Sequence, residues 1–379
     1  MPTLNQIIQA LHDYTVPDLG IKFVNREQET EKILSNIIKL NQPTHPTNSL
    51  IHVITGPWGC GKTELFKALT QATNKIRELK ERTLTLYINL SEEEIDKACT
   101  PTPNPISQTI KETTRTILKD HLKTLLHLYT PIRALHDRLH IKEKKIIITF
   151  DEATRSLEKY KIPIRDLIAG LSKKIYDIAW EYNAEIHTIL LTSEQTAIEH
   201  FSKQLGKNMT IHLLWNLQKT HIPPILKALK SPIDTQTAWK ITGGNPREIY
   251  KIHLHQWNLK PYIEEQIATH KQLLRKYTRE KRENPTQTLT ELAPLLDNID
   301  DLDTHPIWDT LIQNNITIYI DARYRKISQP PTNTEWIGKR IAFQTPIHYH
   351  ILKTMTTRKT TDITPQQILP QLTSQQPPT

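Results

Sequence analysis

Glycine is scarce in this chain and is concentrated in one octapeptide. Nine of the 379 residues are glycine, and three of the nine lie within residues 56–63, which read Gly-Pro-Trp-Gly-Cys-Gly-Lys-Thr. An apolar segment at 50–55 precedes the octapeptide, and an amphipathic segment follows it. A glycine-rich turn between a strand and a helix directs backbone N–H groups and the helix N-terminus at an anion. The pattern G-x-x-x-x-G-K-[ST] therefore predicts a phosphate-binding loop.

The fixed positions of this loop indicate ATP and Mg²⁺ as ligands. We expect Lys62 to reach the β- and γ-phosphates and the Thr63 hydroxyl to bind Mg²⁺. Cys60 fills a free position of the pattern and is interpreted as a spacer rather than a nucleophile. The predicted nucleotide-binding residues here are Gly56, Pro57, Trp58, Gly59, Cys60, Gly61, Lys62, Thr63 and Glu64.

Two carboxylates follow a second strand-like segment. Residues 145–150 are mostly apolar and are followed by Asp151 and Glu152. We expect Asp151 to hold Mg²⁺ alongside Thr63, and Glu152 to orient or deprotonate the attacking water. Together with Lys62, the pair predicts an ATPase that converts ATP and water to ADP and phosphate. The alternative is a solvated acidic turn that caps the next helix.

Two further polar segments are candidates for contact with the nucleotide. Thr192 and Ser193 end the fourth predicted strand, and either side chain could contact the γ-phosphate or simply cap the following helix. Thr192 is our catalytic candidate of the two. Downstream, Gly243 and Gly244 predict a sharp turn, after which Arg247 lies in the first turn of a helix. Arg247 is therefore either a catalytic arginine on a lid or a surface arginine.

Apolar and amphipathic segments alternate through the first half of the chain. Such alternation indicates a parallel sheet covered by helices on both faces, the three-layer α/β/α arrangement of P-loop NTPases. Strands are predicted at 50–55, 84–90, 145–150, 187–191 and 210–215. Helices are predicted at 25–40 with Asn25 as N-cap, from Lys62 onward, at 105–139 and at 164–182.

The rest of the chain is predicted to be mostly helical. We expect a long helix at 263–283, shorter helices near 288–297 and 305–315, a hairpin at 317–328 and a helix near 346–355. The Thr/Gln/Pro-rich end has the composition of a disordered segment. The predicted domains are a P-loop ATPase domain at 1–219, a helical lid at 220–262, a winged-helix-like domain at 263–355 and a disordered tail at 356–379.

The order of these motifs resembles that of the archaeal ATPase family. This family belongs to the AAA+/STAND-type P-loop ATPases and is related to archaeal replication initiators. The resemblance covers about 20–255 and rests on the segments Phe-Val-Asn-Arg-Glu (23–27), the phosphate loop, Ile-Ile-Thr-Phe-Asp-Glu-Ala (147–153) and Thr-Gly-Gly-Asn-Pro-Arg-Glu-Ile (242–249). It implies that the phosphate-loop strand lies beside the fourth strand and that Arg247 is a sensor arginine of a helical lid. It also implies that Phe23, Val24 and Arg26 lie near the adenine, and that a winged-helix domain follows.

One departure from this resemblance concerns the arginine finger of AAA+ rings. Such a finger normally comes from beyond the fourth strand, but no arginine lies between Arg165 and Arg247. Either Arg155 or Arg165 acts from elsewhere, or Lys203 or Lys207 substitutes poorly, or the protein is a slow switch. We favour the switch, although a nucleotide-dependent oligomer stays an alternative.

The net charge of +9 is compatible with binding to double-stranded DNA. The alternative is a signalling or defence switch that acts through protein partners, with the charged helix as a solvated linker. No apolar run approaches the roughly 18 residues that span a bilayer, and no signal peptide is visible, so we expect a cytoplasmic location. The candidate DNA contacts are Lys271, Arg275, Lys276, Arg279, Arg282, Arg323 and Arg325.

Overall fold

The computed structural model describes residues 4–91, 99–100, 143–154, 163–206 and 208–373. The chain forms two compact units. The first unit comprises Met1–Thr55, Lys62–Leu213 and Tyr324–Ile327, and the second comprises Gly56–Gly61, Leu214–Arg323 and Ser328–Thr379. The predicted helix at 105–139 lies outside the described residues.

The first unit is built on one sheet. Its described strands are β3 (Leu50–Thr55), β4 (Thr83–Asn89), β5 (Cys99–Thr100), β6 (Lys145–Asp151), β7 (Glu185–Leu191), β8 (Met209–Leu213) and β10 (Arg325–Lys326). They lie in the order β10-β8-β3-β7-β6-β4-β5. Every pairing from β10 to β4 is parallel, and only β5 runs antiparallel at the edge. The predicted position of the phosphate-loop strand β3 beside β7 is confirmed.

The two central strands β6 and β7 are buried along their whole length, because helices cover the sheet. Every residue of β6 and β7 is buried, which agrees with the predominance of apolar residues in both strands. The described helices of this unit are α1 (Leu4–His12), α2 (Glu27–Lys32), α3 (Lys62–Lys75), α4 (Arg77–Arg82), α5 (Ile164–Glu181) and α6 (Gln195–Ser202). A short antiparallel pair, β1 (Thr15–Val16) and β2 (Ile21–Lys22), lies between α1 and α2.

The predicted helix at 25–40 differs from the structure in two respects. Asn25 is not its N-cap, because Arg26 occupies that position with a left-handed φ of 92°. After α2 the chain continues as a π-helical turn over Ile33–Ile37, with three of its five side chains buried. Helix-like periodicity alone does not separate an α-helix from such a turn.

The second unit is mainly helical, as predicted. Its two-stranded antiparallel sheet pairs β9 (Thr317–Tyr319) with β11 (Ile341–Phe343). The predicted lid and the predicted C-terminal domain both belong to this one unit, and the winged helix stays a prediction. The helices are α7 (Ile222–Ala228), α8 (Thr235–Thr242), α9 (Pro246–Leu254), α10 (Leu259–Lys281), α11 (Pro285–Leu295), α12 (Trp308–Gln313), α13 (Pro346–Arg358) and α14 (Leu369–Leu372).

The hairpin predicted at 317–328 is wrong. Its first half pairs with β11, whereas Arg325 and Lys326 form β10 and pair in parallel with β8 of the first unit. The connection, Ile-Asp-Ala-Arg-Tyr at 320–324, has no glycine or asparagine, which tight hairpin turns favour. The two halves therefore find separate partners.

The predicted disordered tail, 356–379, is structured as far as residue 373. Helix α13 runs to Arg358, and α14 follows. The side chains of Ile363, Ile368 and Leu372 are buried and anchor this segment. Three apolar side chains are enough to hold this segment in place, because they pack against surface that the rest of the second unit supplies. Among the described helices, none has the length and apolar character needed to cross a bilayer.

Candidate functional site

The Thr63 hydroxyl and the Asp151 carboxylate are joined in the first unit. Thr63 Oγ1 donates a hydrogen bond of 2.6 Å to Asp151 Oδ2. Thr63 lies in the first turn of α3, and Asp151 ends β6, so the C-terminal ends of parallel strands bring them together. A buried carboxylate beside a hydroxyl offers the oxygen ligands that Mg²⁺ prefers. The pair predicted to hold the metal is therefore assembled, and its donor chemistry fits the ion.

Tyr87 is a part of this cluster that the sequence reasoning missed. Its hydroxyl donates a 2.5 Å hydrogen bond to Asp151 Oδ2, the oxygen that Thr63 also contacts. Burial and the neighbouring Asp151 carboxylate raise the pKa of Tyr87, which keeps the phenol protonated. Strand β4 pairs with β6, and Tyr87 lies two residue pairs before the end of the shared ladder. The signal that could have indicated Tyr87 is the place of a tyrosine near the end of β4, the strand that pairs with the acidic strand β6.

Glu152 follows Asp151 in a left-handed backbone conformation. Its φ is 57°, and its amide donates to Asp151 Oδ1 at 3.0 Å. Non-glycine residues with positive φ are uncommon and cluster at functional positions. The turn separates the two carboxylates, so that Asp151 stays in the buried cluster and Glu152 is half-buried.

Thr192 lies beside this turn. Its hydroxyl is 3.0 Å from that of Thr154, two residues beyond Glu152, and it also accepts the amide of Glu194 at 3.1 Å. Thr192 is therefore both buried near the acidic strand and bonded to the segment that leads into α6. Ser193 is only half-buried.

The first part of the phosphate loop belongs to the second unit. Gly59 has a φ of 81°, and a Cβ there would lie 2.5 Å from the Arg247 Cβ. A Cβ on Gly56 would lie 1.9 Å from the Leu214 carbonyl oxygen. Both positions therefore require glycine. The Cys60 thiol is fully buried and donates to Leu214 O at 3.4 Å, an environment typical of an inert cysteine.

Arg247 lies against the phosphate loop within the second unit. Its guanidinium lies 3.9 Å from the ring centre of Trp58, and Lys251 Nζ lies 5.3 Å from the same ring. Helix α9, which carries Arg247, is capped by the Asn245 side chain, and the same side chain donates to Trp58 O at 2.9 Å. The turn at 243–244 thus presents a cationic helix N-terminus to the loop.

The predicted adenine-side residues lie in the first unit near the start of α3. Phe23 packs edge-on against Tyr14, with ring centres 6.2 Å apart, and Tyr14 Oη donates to Glu64 at 2.7 Å. Tyr14 was not predicted from the sequence. Val24 is half-buried, whereas Arg26 is buried and paired with Glu29 at 2.9 Å.

The candidate DNA contacts do not form one set. Arg325 lies in the sheet of the first unit, and the others belong to the second. Lys271 is paired with Asp362, and Arg323 is held by Asp321 at 2.6 Å. Arg325 is exposed in the first unit. The exposed candidates of the second unit all lie in the C-terminal part of α10 or at its C-cap: Arg275, Lys276, Arg279 and Arg282.

Comparison with known proteins identifies the family. A model of ATPase domains predominantly from Archaea matches residues 23–252, more than half of the chain. The structure of C. elegans PCH-2 is similar over 60% of this chain and 50% of that chain, with a TM-score of 0.32 and 15% sequence identity. No curated protein matches the chain. The loop, the Thr63–Asp151 pair and the match over 23–252 agree, and the chain belongs to the family of ATPase domains found predominantly in Archaea.

Proposed function

We propose that this protein binds ATP with Mg²⁺ and hydrolyses it slowly, as a nucleotide-dependent switch. The observation that carries the proposal is the 2.6 Å contact between Thr63 Oγ1 and Asp151 Oδ2. A threonine at the start of a phosphate-loop helix and an aspartate at the end of another parallel strand are the metal ligands of P-loop ATPases. Mg²⁺ held by these two residues would neutralise charge that develops on the phosphates.

The phosphates would be held by backbone N–H groups of the loop and by Lys62. Lys62 is buried at the start of α3, so its charge lies beside the positive end of the helix. Arg247, whose helix contacts Gly59, is the second cation for the transferred phosphate. Phe23, Val24 and Arg26 are proposed for the adenine side.

Glu152 is the proposed general base. Its carboxylate would accept a proton from water as the water oxygen attacks the γ-phosphorus and the bond to the bridging oxygen breaks. The left-handed turn at Glu152 and the half-buried position of the residue support this role. Thr192, bonded to Thr154 just beyond the turn, would orient the same water.

Slow turnover follows from the arginine distribution. An arginine finger contributes about 10³–10⁵ in kcat where it is present, and no arginine lies between Arg165 and Arg247. The expected turnover is therefore that of a switch. Cytoplasmic location and a nucleotide-dependent oligomer stay predictions.

The core proposal is tested by two substitutions. Lys62→Ala should abolish MgATP binding, measured by calorimetry, because it removes the loop cation. Glu152→Gln should keep binding and lose turnover, measured by phosphate release. Normal hydrolysis by Glu152→Gln would show that another group is the base.

A second candidate function is binding to double-stranded DNA. The specific observation is the exposed basic surface of α10, formed by Arg275, Lys276, Arg279 and Arg282. Cations that contact phosphates release counterions, so affinity should fall steeply with salt. The quadruple substitution to glutamine should remove DNA binding without changing MgATP affinity. Turnover that is indifferent to duplex DNA at low salt would favour a protein partner instead.

A further inference from the structure

Within the second unit, four hydrogen bonds form a closed ring that includes one residue of the phosphate loop, Trp58. Trp58 N donates to Gln344 Oε1 at 2.6 Å, and Asn245 Nδ2 donates to Trp58 O at 2.9 Å. Asn245 Nδ2 also donates to Asn216 Oδ1 at 3.0 Å, and Asn216 Nδ2 donates to Gln344 O at 2.8 Å. The ring joins Trp58 of the loop to residues that lie 187 and 286 positions farther along the chain, Asn245 and Gln344.

The three amide side chains of the ring are buried. Asn216 and Asn245 are each 1% exposed, and Gln344 is 2% exposed. A buried polar group without a partner costs about 1–3 kcal/mol, so such side chains are retained when their bonds are made. Each of the three uses both its oxygen and its nitrogen in hydrogen bonds. Each of the three side chains is therefore held in position by at least two hydrogen bonds.

Gln344 connects the loop to the small sheet of the second unit. It follows β11 and precedes α13. Its side-chain nitrogen donates to Thr317 O at 3.2 Å, and its amide donates to Ile316 O at 2.9 Å, so it is bonded to β9 and to the residue before it. A displacement of the Trp58 backbone must either break the 2.6 Å bond or move Gln344 relative to β9.

The ring holds one particular amide of the loop. The Trp58 N–H donates to Gln344. This amide precedes Gly59 and Gly61, whose positive φ angles set the direction of the amides that follow. Asn245, on the other side of the ring, caps the helix of Arg247. The loop and the cationic helix are thus fixed by the same set of bonds.

We propose that Gln344 is a positioning residue that fixes the phosphate loop for nucleotide binding and couples nucleotide occupancy to the β9–β11 sheet. This inference rests on the proposed function, because it assumes that the loop binds phosphates. Coupling between two sites is reciprocal. If the bond from Gln344 to the loop favours nucleotide binding, then nucleotide binding must favour that bond and restrain the β9–β11 sheet to which Gln344 is joined.

The first measurement uses the unaltered protein. Hydrogen exchange of the amides of β11 and Gln344 is recorded with and without MgADP. Binding should slow exchange in this segment by at least threefold, whereas exchange unchanged by saturating MgADP would overturn the coupling.

The second measurement compares two matched variants. Gln344→Leu removes the acceptor of the Trp58 amide, and Ser328→Ala removes the acceptor of the Trp215 amide, also 2.6 Å away and in the same unit. Both should lower the thermal midpoint, but only Gln344→Leu should weaken MgADP binding, by about tenfold or more in calorimetry. Gln344→Glu, which keeps an acceptor, should recover part of the affinity.

The outcomes separate the two proposals. Equal MgADP affinity in the wild type and in folded Gln344→Leu would overturn the role of Gln344 and leave the nucleotide site intact. A wild-type protein that binds no MgADP would overturn the proposed function itself. Equal loss of affinity in Ser328→Ala would reduce the role of Gln344 to general stability and overturn the inference.

Discussion

The guanidinium of Arg247 lies 3.9 Å from the centre of the Trp58 ring. Arginine over the face of an indole is a favourable cation–π arrangement. Trp58 occupies a free position of the phosphate loop, and 43% of its surface is exposed. The predicted sensor arginine is therefore held by the loop itself, through an aromatic residue that the motif does not require.

We expect this stack to be measurable as a coupling energy. Trp58→Leu and Arg247→Met should each lower stability slightly, and the double variant should lose about 0.5–1 kcal/mol less than the sum, as for exposed cation–π pairs. Urea unfolding of the four proteins gives the value. A cycle with Lys251→Met, whose Nζ lies farther from the ring at 5.3 Å, is the control and should show a smaller coupling.

Removal of the Tyr87 hydroxyl should change the use of Mg²⁺ more than stability. Tyr87→Phe deletes one of two hydroxyl donors to Asp151 Oδ2, at a cost of about 1 kcal/mol. The less restrained carboxylate should raise the Mg²⁺ concentration for half-maximal turnover several-fold. Tyr277→Phe is the matched control, because that buried hydroxyl has no hydrogen-bond partner in the described part of the chain. An unchanged Mg²⁺ dependence in Tyr87→Phe would contradict the assignment of Asp151.

Three histidines form a hydrogen-bonded row across the sheet of the first unit. His52 lies between His187 at 3.1 Å and His212 at 3.3 Å, and His187 also contacts Glu185 at 2.8 Å. Burial lowers the pKa of all three histidines, that of His212 to about 4. The charged groups that act on the row, besides Glu185, are Lys39, Lys145 and Arg325.

This row should make the fold sensitive to acid. Each pKa is lower in the folded state than the ordinary 6.5, so the unfolded chain binds more protons below that pH. Stability should be flat above pH 7 and fall from about pH 6.5 toward 4. His212 alone accounts for on the order of 3 kcal/mol of this loss. Urea unfolding between pH 8 and 5 gives the slope, which His212→Phe should reduce and the exposed-site control His200→Asn should not.

The buried pair Lys145–Glu185 should be costly to break from one side. Lys145 Nζ lies 2.7 Å from Glu185 Oε1, and the two side chains are 4% and 0% exposed. Lys145→Met removes the lysine partner of a buried carboxylate and should lower the free energy of unfolding by about 3–5 kcal/mol. Lys145→Met combined with Glu185→Met should be less destabilised than the single variant. The reverse order would show that Glu185 is held mainly by its other donors, the His45 amide and Asn48.

The local sequence pattern was enough to predict the elements that carry the motifs. Strand β3, the start of α3 at Lys62 and the acidic end of β6 were all predicted, because apolar runs, glycine and the start of an amphipathic helix are local signals. The alternation of such elements also predicted the parallel sheet. The family followed from the order of the same motifs.

The tertiary structure decided which distant groups meet. Arg325 and Lys326 pair with β8 rather than with Thr317–Tyr319, Tyr87 bonds to Asp151, and Gln344 takes the Trp58 amide. In each case the residue's own neighbourhood in the sequence does not identify its partner. The sequence by itself determined the local elements and the chemistry of the loop, because propensity and periodicity act over a few residues. Pairing across 64 or 286 residues depends on which buried donors and acceptors the packed chain leaves to be satisfied, and only the tertiary structure decides that.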